Sequence, residues 1–183
     1  GRVAAVAAVH EGNRLTVYIG AASGGVWKSE NGGTTYKPVF DKEPVQSIGA
    51  IAIDPTNPKV IWVGSGEAWT RNSVSIGDGI YKSVDGGDNW TNMGLKESER
   101  IAKIAIDASD PNTVYACVPG KLFSDREDRG VCTPTNGGQS RPKLPQRQNG
   151  SPGAARRSTD QKTRREHGRG LAVGGAQGTT RPV

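Results

Sequence analysis

Ser83-Val84-Asp85-Gly86-Gly87-Asp88-Asn89-Trp90 is the stretch on which the fold turns. It follows Gly79-Ile80-Tyr81-Lys82, a run of β-branched and aromatic residues with strand character. The Asp85 side chain can accept hydrogen bonds from the amides of a tight turn. One of Gly86 and Gly87 can adopt the positive φ that other residues avoid. Trp90 then returns the chain to a sheet and packs beneath the turn. The same string occurs once before, as Ser29-Glu30-Asn31-Gly32-Gly33-Thr34-Thr35-Tyr36 after Gly25-Val26-Trp27-Lys28, and Gly32 lies 54 positions before Gly86.

Working outward from the turns, the whole chain up to about residue 140 repeats. The first copy opens with Val3–Val9 and continues with Thr16–Gly20. The second opens with Ile48–Asp54 and continues with Val60–Gly64. The third opens with Ile101–Asp107 and continues with Thr113–Ala116, and Ile106 follows Ile53 by 53 positions. Asp54-Pro55-Thr56-Asn57-Pro58 and Asp107-Ala108-Ser109-Asp110-Pro111 are turns between the first two strands of their copies. Three strands before the Gly-Gly turn and one after it make four per copy. Four-stranded sheets at a fixed period of this size predict β-propeller blades. The expected fold is all-β: blades over about 1–46, 47–99 and 100–140, about two and a half in number, with a blade face and an edge strand uncovered. Such a piece on its own is expected to fold partially or dissolve poorly.

Beyond about residue 140 the repeat chemistry stops. The third turn begins at Asn136-Gly137-Gly138, but Arg141 stands where an aromatic is due, and Cys132 and Pro134 replace the aromatic and serine of the earlier copies. Residues 1–140 carry 14 Lys/Arg against 16 Asp/Glu, a net −2, while 141–183 carry 10 against 2, a net +8. The basic pI therefore belongs to the tail. The last aromatic is Phe123. Arg156-Arg157 and Lys162–Arg165 offer charge to nucleic acid or anionic lipid, but the lack of aromatics for base stacking favours a basic tail without such a role, and no nucleic-acid partner is expected. The tail has too little apolar surface to offset an ordering entropy of about 1–2 kcal/mol per residue. Two readings stay open for it: a disordered basic tail, or translation in a shifted frame. Read one nucleotide back, Gln161-Lys162-Thr163-Arg164 can encode Pro-Lys-Asn-Pro, which matches the turn at Pro55–Pro58. The chain starts at Gly1 and already reads as strand at Val3, so the natural N-terminus and any signal peptide are expected to lie upstream. No apolar run reaches the roughly 20 residues of a membrane span.

The Gly1–Val6, Gly24–Ser29, Ser47–Ala52 and Gly77–Ser83 segments, with the two Gly-Gly turns, resemble the Asp-box (BNR) propellers of the bacterial sortilin-like kind, often labelled glycosyl hydrolase BNR repeat. The resemblance covers residue 1 to about 140, the start of a longer propeller whose remaining blades are expected in a full-length parent. It implies a periplasmic or secreted protein. It assigns Ser29, Asn31, Gly32, Gly33, Tyr36, Ser83, Asp85, Gly86, Gly87 and Trp90 to turn architecture. It does not carry over a catalytic set. The Arg-Ile-Pro segment of sialidases is missing, and the aspartate that xyloglucanase-type propellers place before a Gly-Gly-aromatic strand is here Ala22 or Ser23. The resemblance leaves two functions: a binding or interaction scaffold, taken first, and the N-terminal piece of a carbohydrate-active glycoside hydrolase with its catalytic residues in other blades.

One segment stands out for a site. Between the second and third strands the first copy needs only Ala21 to Gly24, whereas the second inserts Gly66–Asp78. Glu67, Trp69, Arg71 and Asp78 offer charge and a stacking face to a protein or carbohydrate ligand; a loop that satisfies its own polar groups is the other reading. No catalytic, metal or cofactor residues are expected, because one carboxylate per turn is too few for a calcium cage. Cys117 and Cys132 have no nearby histidine in the sequence, which excludes a zinc pattern and leaves their pairing open.

Overall fold

The structure is a computed structural model that describes residues 2–69, 73–121 and 130–133. The chain divides into two units, Gly1–Gln146 and Arg147–Val183, and every described residue lies in the first. The sequence-predicted third Gly-Gly turn and the tail from residue 141 lie outside the described residues.

Three antiparallel sheets follow one another. The first is β1 (Val3–Glu11), β2 (Arg14–Ala21), β3 (Val26–Ser29) and β4 (Lys37–Pro38), in that order. The second repeats it with β5 (Ile48–Ile53), β6 (Ile61–Ser65), β7 (Ile80–Ser83) and β8 (Thr91–Asn92). The third comprises β9 (Lys103–Ile106), β10 (Val114–Val118) and β11 (Gly130–Cys132), with β10 in the middle. A single 3-10 turn, Lys96–Ser98, is the only helical element among the described residues. No helix among them is long and apolar enough to cross a membrane.

The apolar residues sort by strand parity into two cores. Ile61 and Val63 of β6 and Tyr81 of β7 meet Tyr18 and Val26 of the first sheet and Phe40 just after it. Trp62 and Ile80, one residue out of phase, meet Ile104, Val114, Ala116 and Cys132 of the third. The second sheet is thus covered on both faces. A register shift in β5 between Ile48 and Ala50 lets the strand serve both cores: Ile48 packs toward the first sheet and Ala50 toward the third. The same shift recurs in β1 between Val3 and Ala5. Each large apolar side chain buried in these cores contributes about 1.5–3 kcal/mol of transfer free energy.

Both Gly-Gly turns share one hydrogen-bond pattern. In the first, Gly33 N–H donates to Ser29 Oγ at 2.8 Å and Thr35 N–H to Asn31 Oδ1 at 2.9 Å. In the second, Gly87 N–H donates to Ser83 Oγ at 2.8 Å and Asn89 N–H to Asp85 Oδ1 at 3.0 Å. These bonds hold the Asp85 carboxyl well below the usual carboxylate range, the Asn89 side chain contributing most. All four central glycines have positive φ. Trp90 does more than pack beneath its own turn. Its Nε1–H donates to Val39 O at 2.7 Å, and its ring stands edge-on to Phe40 with centroids 5.2 Å apart. Tyr18 OH donates to Gly86 O at 3.0 Å. The second turn is therefore a tie to the preceding sheet, a role that the local sequence pattern cannot show because its partners lie about 50 to 70 positions away.

Candidate functional site

Antiparallel order fixes what each end of the sheets carries. The Gly-Gly turns and the Asp54 and Asp107 turns share one end: Gly32 N–H bonds to Leu15 O, and Gly86 N–H to Lys59 O, both at the start of a second strand. The opposite end holds the starts of β1, β5 and β9 and the connections from β2 to β3 and from β6 to β7. The described parts of the long 66–79 connection, residues 66–69 and 73–79, sit there, away from the turn residues.

Its base is tightly built. Gly66 N–H bonds to Ser47 O at 2.8 Å, Glu67 N–H to Ser75 O at 3.0 Å and Gly77 N–H to Glu99 O at 2.8 Å. Gly66 has φ 88°, and a Cβ there would come within 1.9 Å of Glu99 O, so no other residue fits. Ser65 Oγ accepts the N–H groups of Asp78 at 2.9 Å and Gly79 at 3.0 Å, and its own proton goes to Gly79 O at 2.7 Å. Asp78 Oδ2 accepts the Tyr81 hydroxyl at 2.7 Å. Burial, and secondarily this bond to Asp78, push the Tyr81 phenol up to about 12. Burial also raises the Glu43 carboxyl, with the charge of Asp78 adding to it.

The candidate residues fall into different places. Glu67 is 0% exposed and forms an ion pair with Arg2, whose side chain is half exposed. A carboxylate buried this deeply requires such a partner. Asp78 is engaged at the loop base. Trp69 is 71% exposed. Arg71 lies outside the described residues. Glu67 and Asp78 thus belong to the base and Trp69 to the outward part of the loop. Arg2 and Ser65 are the participants that sequence reading missed; Arg2 lies 65 positions from Glu67, and no local signal links them. Among the described residues no group of three or more His, Cys, Asp or Glu could hold a metal ion.

Ala22 is buried, and its N–H donates to Arg2 O at 2.9 Å. The cysteine question is settled by register. Cys117 stands opposite Val131, and Cys132 opposite Ala116, so the two thiols point to opposite faces of the sheet and no disulfide joins them.

No family model and no curated protein matches the chain. Solved structures do, 22 chains in all. An ancestral GH74 enzyme is 28% identical with a TM-score of 0.53, over 75% of this chain and 18% of that one. A GH74 enzyme of Niastella koreensis is 25% identical with a TM-score of 0.48, over 64% of this chain and 18% of that one. A GH74 xyloglucanase from Xanthomonas campestris is 19% identical with a TM-score of 0.45, over 66% and 19% of the respective chains. The chain therefore spans about a fifth of the length of these enzymes. With three successive four-stranded or partly formed antiparallel sheets stacked face to face, it is an incomplete β-propeller, similar over 75% of its length to part of an ancestral GH74 enzyme.

Proposed function

We propose that the chain is part of an extracytoplasmic, carbohydrate-active propeller of the glycoside hydrolase type, that its Gly-Gly turns are Asp-boxes of the sortilin-like kind, and that the 66–79 connection is a contact site for an oligosaccharide. The likeness to the ancestral GH74 enzyme is the observation that carries this reading, which ranks the hydrolase piece above the pure interaction scaffold expected first. Trp69 supports it, since an exposed indole offers an apolar face to a sugar ring. Arg2, half exposed and paired with Glu67, adds a charged group at the loop base. Hydrolysis belongs to the whole propeller: general-acid and base carboxylates would come from other blades, because the residues at the expected aspartate place, Ala22 or Ser23, carry no carboxylate.

The missing carboxylate at that place favours the second reading, a non-catalytic propeller that takes a protein ligand on this loop. Native electrophoresis of the chain in gels containing xyloglucan or another soluble β-glucan separates the two. Retardation that falls at least ten-fold in apparent affinity in Trp69→Ala is expected. Unretarded migration across the glucan panel would reject the carbohydrate contact. Release of reducing sugar by this chain alone would overturn the assignment of the acid pair to other blades.

A further inference from the structure

The residues in front of β1 and β5 hold the connection between the second and third strands of their own sheets. Arg2, ahead of β1, accepts the Ala22 N–H on its main-chain oxygen at 2.9 Å. Ser47, ahead of β5, accepts the Gly66 N–H in the same way at 2.8 Å. Register explains the match, because Val3 stands opposite Ala21 and Ile48 opposite Ser65. This main-chain bond therefore belongs to the repeat. The short connection of the first sheet is also held by main chain on its return, where the N–H groups of Gly24 and Gly25 both donate to Gln46 O at 2.8 Å.

Ser47 adds a side-chain bond to this pattern. Its hydroxyl donates to Ser75 O at 3.1 Å, on the returning limb of the long connection. Ser75 O also accepts the Glu67 N–H at 3.0 Å, from the outgoing limb. One buried serine thus holds both limbs, the outgoing one through its carbonyl at Gly66 and the returning one through its hydroxyl at Ser75. Trp69 stands two residues beyond Glu67 and is exposed. The base of the connection has separate supports: Ser65 Oγ accepts the N–H groups of Asp78 and Gly79, and Gly77 N–H reaches Glu99 O. The Ser47 hydroxyl is therefore placed to govern the loop without holding up the sheet.

We propose, on the reading of this connection as an oligosaccharide contact, that Ser47 is a positioning residue for Trp69: its hydroxyl fixes the spacing of the two limbs and so pre-orders the segment that presents the indole. Without the hydroxyl, Ser75 O keeps its bond from Glu67 and Ser47 O its bond from Gly66, so no carbonyl is orphaned and the sheet keeps its stability. Pre-organisation is what is lost, and the ligand must then order the limbs as it binds.

The test compares Ser47→Ala, Ser47→Thr and Ser47→Val in the full chain, with Trp69→Ala beside them. Thr keeps the hydroxyl and Val replaces it with a methyl of similar shape, so that pair controls for volume. Hydrogen exchange of the Glu67 amide, the urea midpoint and retardation in xyloglucan gels are measured for each. Ser47→Ala is expected to speed exchange at Glu67 and to weaken retardation by about five-fold each, the size of one neutral hydrogen bond, at the urea midpoint of the wild type. Ser47→Thr is expected to keep both properties and Ser47→Val to lose both. If the added methyl unfolds these two, Ser47→Ala against the wild type decides. Unchanged exchange at Glu67 in Ser47→Ala overturns the proposal. So does a fall in its urea midpoint large enough to account for the lost retardation, or wild-type retardation in Ser47→Ala where Trp69→Ala is weakened. Wild-type retardation in Trp69→Ala rejects the oligosaccharide reading instead, and exchange at Glu67 then decides the role of Ser47 alone.

Discussion

The corresponding faces of the first and second sheets carry the same kind of side chains in the same register and meet opposite fates. In the first sheet Val6, Ile19, Trp27 and Pro38 stand in one row across the four strands. In the second, Ile51, Val63, Tyr81 and Asn92 hold those positions. Val6 is 61% exposed and Trp27 38%, whereas Val63 is 0% and Tyr81 2% exposed. Nothing in the two strings of residues separates them. The second row has Tyr18 and Val26 of the first sheet, and Phe40 just after it, against it, and among the described residues no such sheet stands against the first row. A repeat buries its faces by stacking, so burial belongs to the neighbour rather than to the repeat.

That contrast can be broken most forcefully at the aromatic position. Tyr81→Ala is expected to cost about 3–5 kcal/mol, as for other buried aromatics, while the equivalent Trp27→Ala costs less than about 1 kcal/mol. Urea unfolding, or hydrogen exchange of the β6–β7 amides against the β2–β3 amides, measures both. Equal losses would show that the first row is covered in solution.

The close approach of Gly20 to Ile48 gives the next effect. Gly20→Ala sets a Cβ 2.5 Å from Ile48 Cγ2 and is expected to destabilise by about 1–3 kcal/mol. Removing Cγ2 with Ile48→Ala leaves Ile48 Cβ at 3.2 Å from the new methyl and should make the double variant more stable than the two single losses predict. Strict additivity in that cycle would show that the two side chains do not meet.

A smaller difference separates the turn aromatics. Trp90→Phe loses the bond to Val39 O and is expected to cost about 1 kcal/mol. Tyr36→Phe in the first turn, where the aromatic meets no other sheet among the described residues, should change stability by less than about 0.5 kcal/mol.

The smallest expected effect concerns pH. Asp85 has a folded-state pKa below its unfolded value of about 3.9, so its turn bonds contribute stability above that value and lose it as pH falls through the folded pKa. Asn31 holds the same place in the first turn and does not titrate. Asp85→Asn should therefore flatten the loss of stability between pH 4 and pH 2, seen as a smaller shift in the urea midpoint. A profile unchanged from the wild type would assign acid sensitivity to other carboxylates.

Much of this architecture was legible in the residues. The Ser-x-Asp/Asn-Gly-Gly strings specify their turns because the hydrogen-bond donors and acceptors lie within four positions of each other, as in the Ser83 and Asp85 bonds. The site was legible only as an insertion. That Glu67 would be buried and paired, that Asp78 would serve the loop base and that Trp69 would be exposed all depend on partners such as Arg2, Ser47 and Glu99, which only folding brings near.

By itself the sequence determined strand positions, turn chemistry and the repeat, since these follow from local sterics and short-range hydrogen bonds. The tertiary structure alone decided which face of each sheet is covered and that Trp90 ties two sheets together. Those outcomes are set by packing between segments about 50 residues apart, where the excluded volume of one methyl group decides whether two surfaces fit.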